Sequence, residues 1–291
     1  MKRYRIVHTT TYSFDNTVSP CKAEAHLKPR NLPCQHCEFH QLVIRPLADM
    51  TREYTDTFGN NVSYFEVATQ CLTLAVTAIS VVQIEQSQNQ ERATSSPWDE
   101  VRHRLDNEDS KDISEVRQFV ADSQSIATGP ELAEYALISF TPGRPIMAAS
   151  FDLMQRIHQD FIYDPGSTTV TTTVHEVFTQ RRGVCQDFAR LAIACLRSLG
   201  LAGRYVSGYL DTAALHGENH RIASDESHAW FSVYDPASGW VDFDPTVGRT
   251  PPEGYITTAW GRDYNDVSPL KGMFTGGGSH GLNVSVDVAR I

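Results

Sequence analysis

The chain has 291 residues, enough for one large domain or two ordinary ones with separate cores. Its 41% hydrophobic and 21% charged residues are those of ordinary globular protein, which excludes a disordered or fibrous chain. With 25 basic against 35 acidic residues the net charge is −10, which argues against a broad nucleic-acid or anionic-membrane surface, so neither is expected as a partner.

The opening residues Met1 to His8 alternate charged and apolar side chains and lack the apolar run and small-residue cleavage site of a secretory signal. The longest apolar stretch, Leu72 to Val82, is too short to span a bilayer and is interrupted by Thr73, Thr77 and Ser80. A cytoplasmic location is therefore expected. In a reducing cytosol the six cysteines (21, 34, 37, 71, 185 and 195) default to free thiols, most of them buried.

From residue 2 to about 85 the pattern is one of strands and turns. Tyr4 to Ile6 and Tyr12 to Phe14 alternate with polar residues, Tyr54 to Phe65 reads as a hairpin turning near Gly59-Asn60, and a β-branched run follows from Leu72 to Ile84. These predict an N-terminal antiparallel β domain over residues 1–88. Residues 86 to 112 are rich in Gln, Asn, Ser, Glu and Asp with little periodicity, so 89–143 is expected to be a linker and helical connection.

Helical spacing takes over at Pro145, where Ile146, Phe151, Met154, Ile157 and Phe161 recur three to four residues apart. Thr173 to Thr179 is a shorter candidate. Cys185 to Leu199 is the clearest helix: Phe188, Leu191, Ala192, Cys195, Leu196 and Leu199 share a face, further apolar residues widen it, and Gly200 is placed to end it. Strands are expected at Arg204 to Leu210, Ser227 to Asp235, Trp240 to Asp244 and, alternating to the end, Leu282 to Val288. The segment 144–291 is thus read as an α+β unit, helices first and an antiparallel sheet after them.

Arg181-Arg182-Gly183-Val184-Cys185-Gln186-Asp187 sets a cysteine at the start of the buried helix, behind a glycine that lets the chain turn. The N–H groups and positive dipole end of a helix N-terminus stabilise a thiolate and the oxyanion of a tetrahedral intermediate, so Cys185 is placed to be a nucleophile. Cys195, in mid-helix among Ala194, Leu196 and Leu199, reads as core. A nucleophilic thiol needs a base and the base an orienting acceptor. If Tyr234 pairs with Trp240 across the 235–239 turn, Asp242 lies opposite Ser232 and Asp244 opposite Trp230, within side-chain reach of His228. Asp187, in the first helical turn, suits the dipole but would oppose a nearby thiolate. Arg181-Arg182 reads as a solvated pair or as a steering charge near Cys185.

Cys34-x2-Cys37-x2-His40 lacks a second pair of ligands nearby, so no metal is assigned and the segment reads as a loop entering a strand at His40. Gly276-Gly277-Gly278 lacks the lysine and strand-to-helix setting of a phosphate loop and reads as a flexible connection.

The ordered set Gly183-Val184-Cys185-Gln186-Asp187-Phe188-Ala189, Arg204-Tyr205-Val206-Ser207-Gly208-Tyr209, Ser227-His228-Ala229-Trp230, Gly239-Trp240 and Asp244-Pro245-Thr246 resembles the bacterial transglutaminase-like family of candidate cysteine proteases. Gly261 to Pro269 and Lys28 to Pro33 extend the likeness over nearly the whole chain. The resemblance implies a papain-like α+β core behind the β domain and a triad of Cys185, His228 and Asp244. It also implies acyl transfer from a peptide or protein amide without metal or organic cofactor. Gln186, Tyr205, Ser227 and Trp230, which flank the triad in these motifs, are the expected substrate-binding residues. Arg190, where histidine is common, and Ser232, where an acidic residue is common, depart from the family pattern. Three outcomes share this framework: an amide hydrolase or peptidase, a protein-glutamine transglutaminase, and a peptide-binding module without catalysis.

Overall fold

A computed structural model describes residues 1–85, 95–169, 171–211, 227–251 and 254–291. Its first layer is organised by one strand, β1 (Lys2–Ala25), in which buried residues, apolar except for His8 and Thr10, fall on alternate positions over most of its length. The first half of β1 pairs with β5 (Cys71–Ile84) on one side and β13 (His280–Arg290) on the other. Its last residues pair with β4 (Asn61–Val67) and β12 (Leu270–Gly276). β2 (Gln35–Arg45) and β3 (Met50–Thr55) complete the edges, beside β5 and β4. The side chains enclosed include Phe14, Val18, Phe65, Val67, Leu74 and Val76.

Three expectations change here. Tyr4 to Ile6 and Tyr12 to Phe14 belong to one strand, because Asp15-Asn16-Thr17, turn-like in sequence, form an irregularity within β1. The Asp15 and Asn16 amides donate to the carbonyls of Ser279 and Gly277, which holds the irregularity against the β12–β13 turn. That turn is Gly276-Gly277-Gly278, all three at positive φ. It is a tight return rather than a loose connection: a Cβ on Gly277 would stand 2.6 Å from Val18 Cγ1. β2 also begins at Gln35 rather than His40.

After a short parallel pair, β6 (Ile162–Tyr163) with β7 (Arg182–Gly183), the second layer is a four-stranded antiparallel sheet ordered β10-β9-β8-β11, from β8 (Gly203–Leu210), β9 (His228–Asp235), β10 (Gly239–Phe243) and β11 (Tyr255–Gly261). Helices α1 (Trp98–Asn107), α2 (Lys111–Arg117), α3 (Pro130–Leu137), α4 (Ile146–Asp160), α5 (Val174–Gln180) and α6 (Cys185–Ser198) surround it, with α6 packed on β8 and β9. Leu153, Ile157, Phe188, Leu191, Leu196, Phe231 and Val233 form the shared core. Of the stretch expected to be a connection, residues 86–94 lie outside the described residues. Beyond them α1 buries Trp98, Val101 and Leu105, and the Ser110 hydroxyl caps α2.

The last two strands differ most from expectation. Although the chain order put them with the second half, β12 and β13 pair with β1 and finish the first sheet. Alternation marks a strand but does not name its partner. The two layers meet through Tyr4, Ile6, Val82 and Val286 against Tyr209 and Ile256. His8 Nδ1 lies 3.0 Å from the Tyr209 hydroxyl, and the Gln35 side chain makes two 2.8 Å hydrogen bonds with the Thr257 backbone. Arg30 stacks 3.5 Å over the Trp260 ring.

Candidate active site

Cys185 is the first residue of α6, behind Val184 as N-cap. Asp187 fixes this helix start: Oδ2 accepts the Val184 amide at 3.0 Å and the Thr168 hydroxyl at 2.6 Å. Gly183 makes that approach possible, since a Cβ there would meet Asp187 Cβ at 2.8 Å. The Asp187 charge does not stand alone. Arg190, one turn along and equally buried, lies 3.6 Å from Oδ1 and donates to the carbonyls of Thr172 and Ser125. The family departure at 190 is thus a buried brace gathering two loops onto the start of α6. Among the described residues, the Cys185 and Gln186 amides have no hydrogen-bond acceptor, as the geometry of a first helical turn dictates.

β9 and β10 take the register in which Tyr234 pairs with Trp240 and Asp242 with Ser232. Ser232, the second departure, donates to Asp242 and accepts from Arg204 Nε. Asp244 follows β10, and its Oδ2 accepts His228 Nε2–H at 2.7 Å. Three further donors hold it: the Tyr255 hydroxyl at 2.6 Å on Oδ2, and the Thr246 and Val247 amides on Oδ1. Both members of the pair are buried, Asp244 completely.

Burial alone would strip the proton from His228. The Asp244 charge, the hydrogen bond to it and the Cys185 sulfur outweigh burial and hold the imidazolium up to about 10. Burial would likewise raise Asp244, but His228, Tyr255 and the Thr246 amide keep its carboxyl below the usual range. With Nε2 given to Asp244, Nδ1 is the ring nitrogen left over; among the described residues it is buried and has no hydrogen-bond partner. Cys195, further along the same helix, behaves as core: burial pushes its thiol up to about 12.

The four expected substrate contacts separate. Gln186 and Ser227 are half-exposed at the start of α6 and just before β9. Trp230 is fully enclosed and has no surface to offer a substrate; it packs edge-on against Tyr255 at 5.2 Å, and both rings flank the His228 ring at 6.0 Å. Tyr205 is buried in the core against which Cys185 packs. Arg181 and Arg182 are not aimed at Cys185. Arg181 lies over the Phe161 and Phe178 rings, and Arg182 pairs with Asp164 at 3.3 Å. Sequence reasoning passed over Tyr255, since nothing in its neighbourhood marks it, and over Thr168, which is one of a run of threonines.

Residues 4–83 match the bacterial transglutaminase-like N-terminal region, and residues 141–245 match the transglutaminase-like superfamily. An uncharacterized protein of Mycobacterium tuberculosis is 39% identical over 98% of this chain and 92% of its own. The chain belongs to the transglutaminase-like superfamily. Another uncharacterized protein, from Mycobacterium leprae, is 32% identical over the full length of both chains. A protein-glutamine gamma-glutamyltransferase of Pseudomonas aeruginosa is 30% identical over a segment covering 34% of this chain and 15% of its own. Among solved structures, a candidate cysteine protease from Cytophaga hutchinsonii superposes with a TM-score of 0.76 at 22% identity, covering 100% of this chain and 91% of the other. The fold is accordingly the mixed α/β one of this superfamily: an N-terminal antiparallel sheet and a transglutaminase-like, papain-like core. Among the described residues no group of three or more His, Cys, Asp or Glu side chains is placed to hold a metal ion.

Proposed function

We propose that the protein is a thiol-dependent amide hydrolase or peptidase that forms a thioester on Cys185. The observation that carries this reading is the buried Asp244–His228 pair beside the half-buried Cys185, in which Asp244 holds His228 charged and the Cys185 sulfur adds to that. His228 takes the thiol proton at Nδ1, and Asp244 keeps the ring oriented and its cation stabilised. Cys185 Sγ then attacks the amide carbonyl, and the oxyanion forms at the unpaired Cys185 amide at the dipole end of α6. Collapse expels the amine, which leaves with the proton from His228. Water, deprotonated by the same nitrogen, hydrolyses the thioester.

The substrate class in this reading is a peptide or protein amide. The six free thiols suit a reducing compartment, so the cytosol is the proposed location. A second reading keeps the intermediate and changes the acceptor to an amine; the segment shared with the Pseudomonas aeruginosa gamma-glutamyltransferase favours it. Iodoacetamide at near-neutral pH with peptide mass mapping tests the common step. Preferential alkylation of Cys185, lost in His228→Ala, is expected; equal slow labelling of every accessible thiol would refute it. A fluorescent primary amine added with a glutamine-containing protein then separates the readings, because only transamidation leaves the label on the protein.

A further inference from the structure

Directly after β10 the chain closes into a tight turn. The Asp244 amide donates to the Arg249 carbonyl at 3.0 Å, and the Gly248 and Arg249 amides return to the Asp244 carbonyl. The peptide groups of residues 245–248 then serve two partners. Two of their amides, at Thr246 and Val247, donate to Asp244 Oδ1 and hold the carboxylate that meets His228. Three of their four carbonyls are taken by one helix: His158 Nδ1–H is shared between Pro245 at 3.2 Å and Thr246 at 3.0 Å, and Gln155 Nε2–H donates to Gly248. Gln155 and His158 stand three residues apart on α4 and so share a face, while Leu153, Met154 and Ile157 bury the rest of the helix in the core. The fit is close. Gly248 has a φ of 72°, which glycine adopts freely, and a Cβ on it would stand 2.8 Å from the His158 ring.

We propose that His158 and Gln155 are positioning residues of the active site: α4 fixes the 245–248 turn, the turn fixes the Asp244 carboxylate, and the carboxylate orients His228. Its bearing on catalysis rests on the reading of Cys185 as the nucleophile; the brace itself does not. Two independent observations meet at this turn: donors from two side chains of one helix, and a glycine whose missing Cβ leaves room for the ring of one of them. Because both of its acceptors are carbonyls, His158 Nδ1 carries a proton, and a side chain without a donor there releases two of the turn's carbonyls at once. A loosened turn lets Asp244 drift from His228 Nε2, and a displacement on the order of 1 Å caused far from the reacting atoms slows a reaction by as much as ~100-fold.

The test compares two substitutions in the full chain. His158→Phe keeps a ring against Gly248 and removes the donor, whereas His158→Asn has a side-chain amide nitrogen that can take the place of Nδ1. Two quantities are read: the titration midpoint of His228, from its ring nitrogen resonances in protein carrying 15N-labelled histidine and assigned by their loss in His228→Gln, and the rate at which iodoacetamide alkylates Cys185. His158→Phe should lower the midpoint by ~1 pH unit, the measure of a weakened Asp244 contact, and slow alkylation by ~10-fold. His158→Asn should return both most of the way to wild type. A wild-type midpoint in His158→Phe would overturn the proposal, whatever the alkylation rate. A lowered midpoint with alkylation unchanged would also overturn it, since the brace would not reach the chemistry, and so would equal losses in the Phe and Asn variants, since the donor would not be what matters. If His158→Phe does not fold, Gln155→Leu, which removes the bond to Gly248, should shift the midpoint in the same direction and slow alkylation by a few-fold; wild-type behaviour there would contradict the role. Failure of the underlying reading looks different: wild-type Cys185 would not be alkylated preferentially, while the His228 midpoint would still report the brace.

Discussion

His228 keeps a proton although it is buried, and the residues responsible are few enough to remove one by one. Its folded value of about 10 lies above the ordinary 6.5, so the stabilisation from its charged form is fully present below about 6.5 and is lost as the pH rises towards 10. Asp244 works in the opposite sense: its depressed value stabilises the fold above the ordinary 3.8, and that contribution disappears as the pH falls. Melting temperature followed against pH should decline on the alkaline side in the wild type, and His228→Gln should flatten that limb. Asp244→Asn leaves a buried cation without its counter-charge and should cost about 3 kcal/mol in chemical denaturation. Tyr255→Phe, which removes one of the donors to Asp244, should cost about 1 kcal/mol and lower turnover by a few-fold. Cys185, His228 and Asp244 were legible because each sits in a local pattern: a helix start, or a short hairpin whose register a single assumption fixes. Tyr255 was not legible, since it meets Asp244 from a separate strand and no spacing rule connects them.

At the scale of the element, the start of α6 depends on a glycine and a carboxylate fitting together. Gly183→Ala puts a methyl group into Asp187. The expected result is a loss of about 1–3 kcal/mol in denaturant titration, together with slower Cys185 alkylation, because the helix start that presents the thiol must shift. A substitution that only destabilised the fold would leave the alkylation rate of the folded protein unchanged. The helix itself could be read from its apolar spacing, and so could its burial on several sides. That Arg190 and Arg197 are also buried could not be read, because a charged residue on a helix is normally solvated. Arg197 is held by carbonyls of three segments, at Phe119, Gly203 and Arg262, of which Gly203 alone is near it in sequence.

Across the whole molecule the chain ends where it began. β1 carries β12 and β13 along its length, strands from the two ends of the chain that are adjacent in space. The proposed catalytic segment is therefore enclosed between two parts of the first sheet. Residues 144–291 expressed alone should remain largely unfolded by far-UV circular dichroism, because β12 and β13 would lose their partner and Tyr209 and Ile256 would lose the apolar cover of Tyr4, Ile6 and Val82. The full chain should melt in one transition. Most of the strands were visible in the sequence, β11 and β12 excepted, as was the likeness over both halves. Which strand pairs with which was not, because alternation is the same for every partner and only the closed core decides among them.

Catalysis as proposed turns on an acyl group carried by Cys185. Incubation of the wild-type protein with an amide-substrate library, rapid acid quench and mass mapping of the peptide containing Cys185 reads that group directly. An acyl adduct on Cys185 that hydroxylamine releases, absent from Cys185→Ala and strongly reduced in His228→Ala, is the predicted result. Amide turnover that proceeds at the wild-type rate in Cys185→Ala would contradict it.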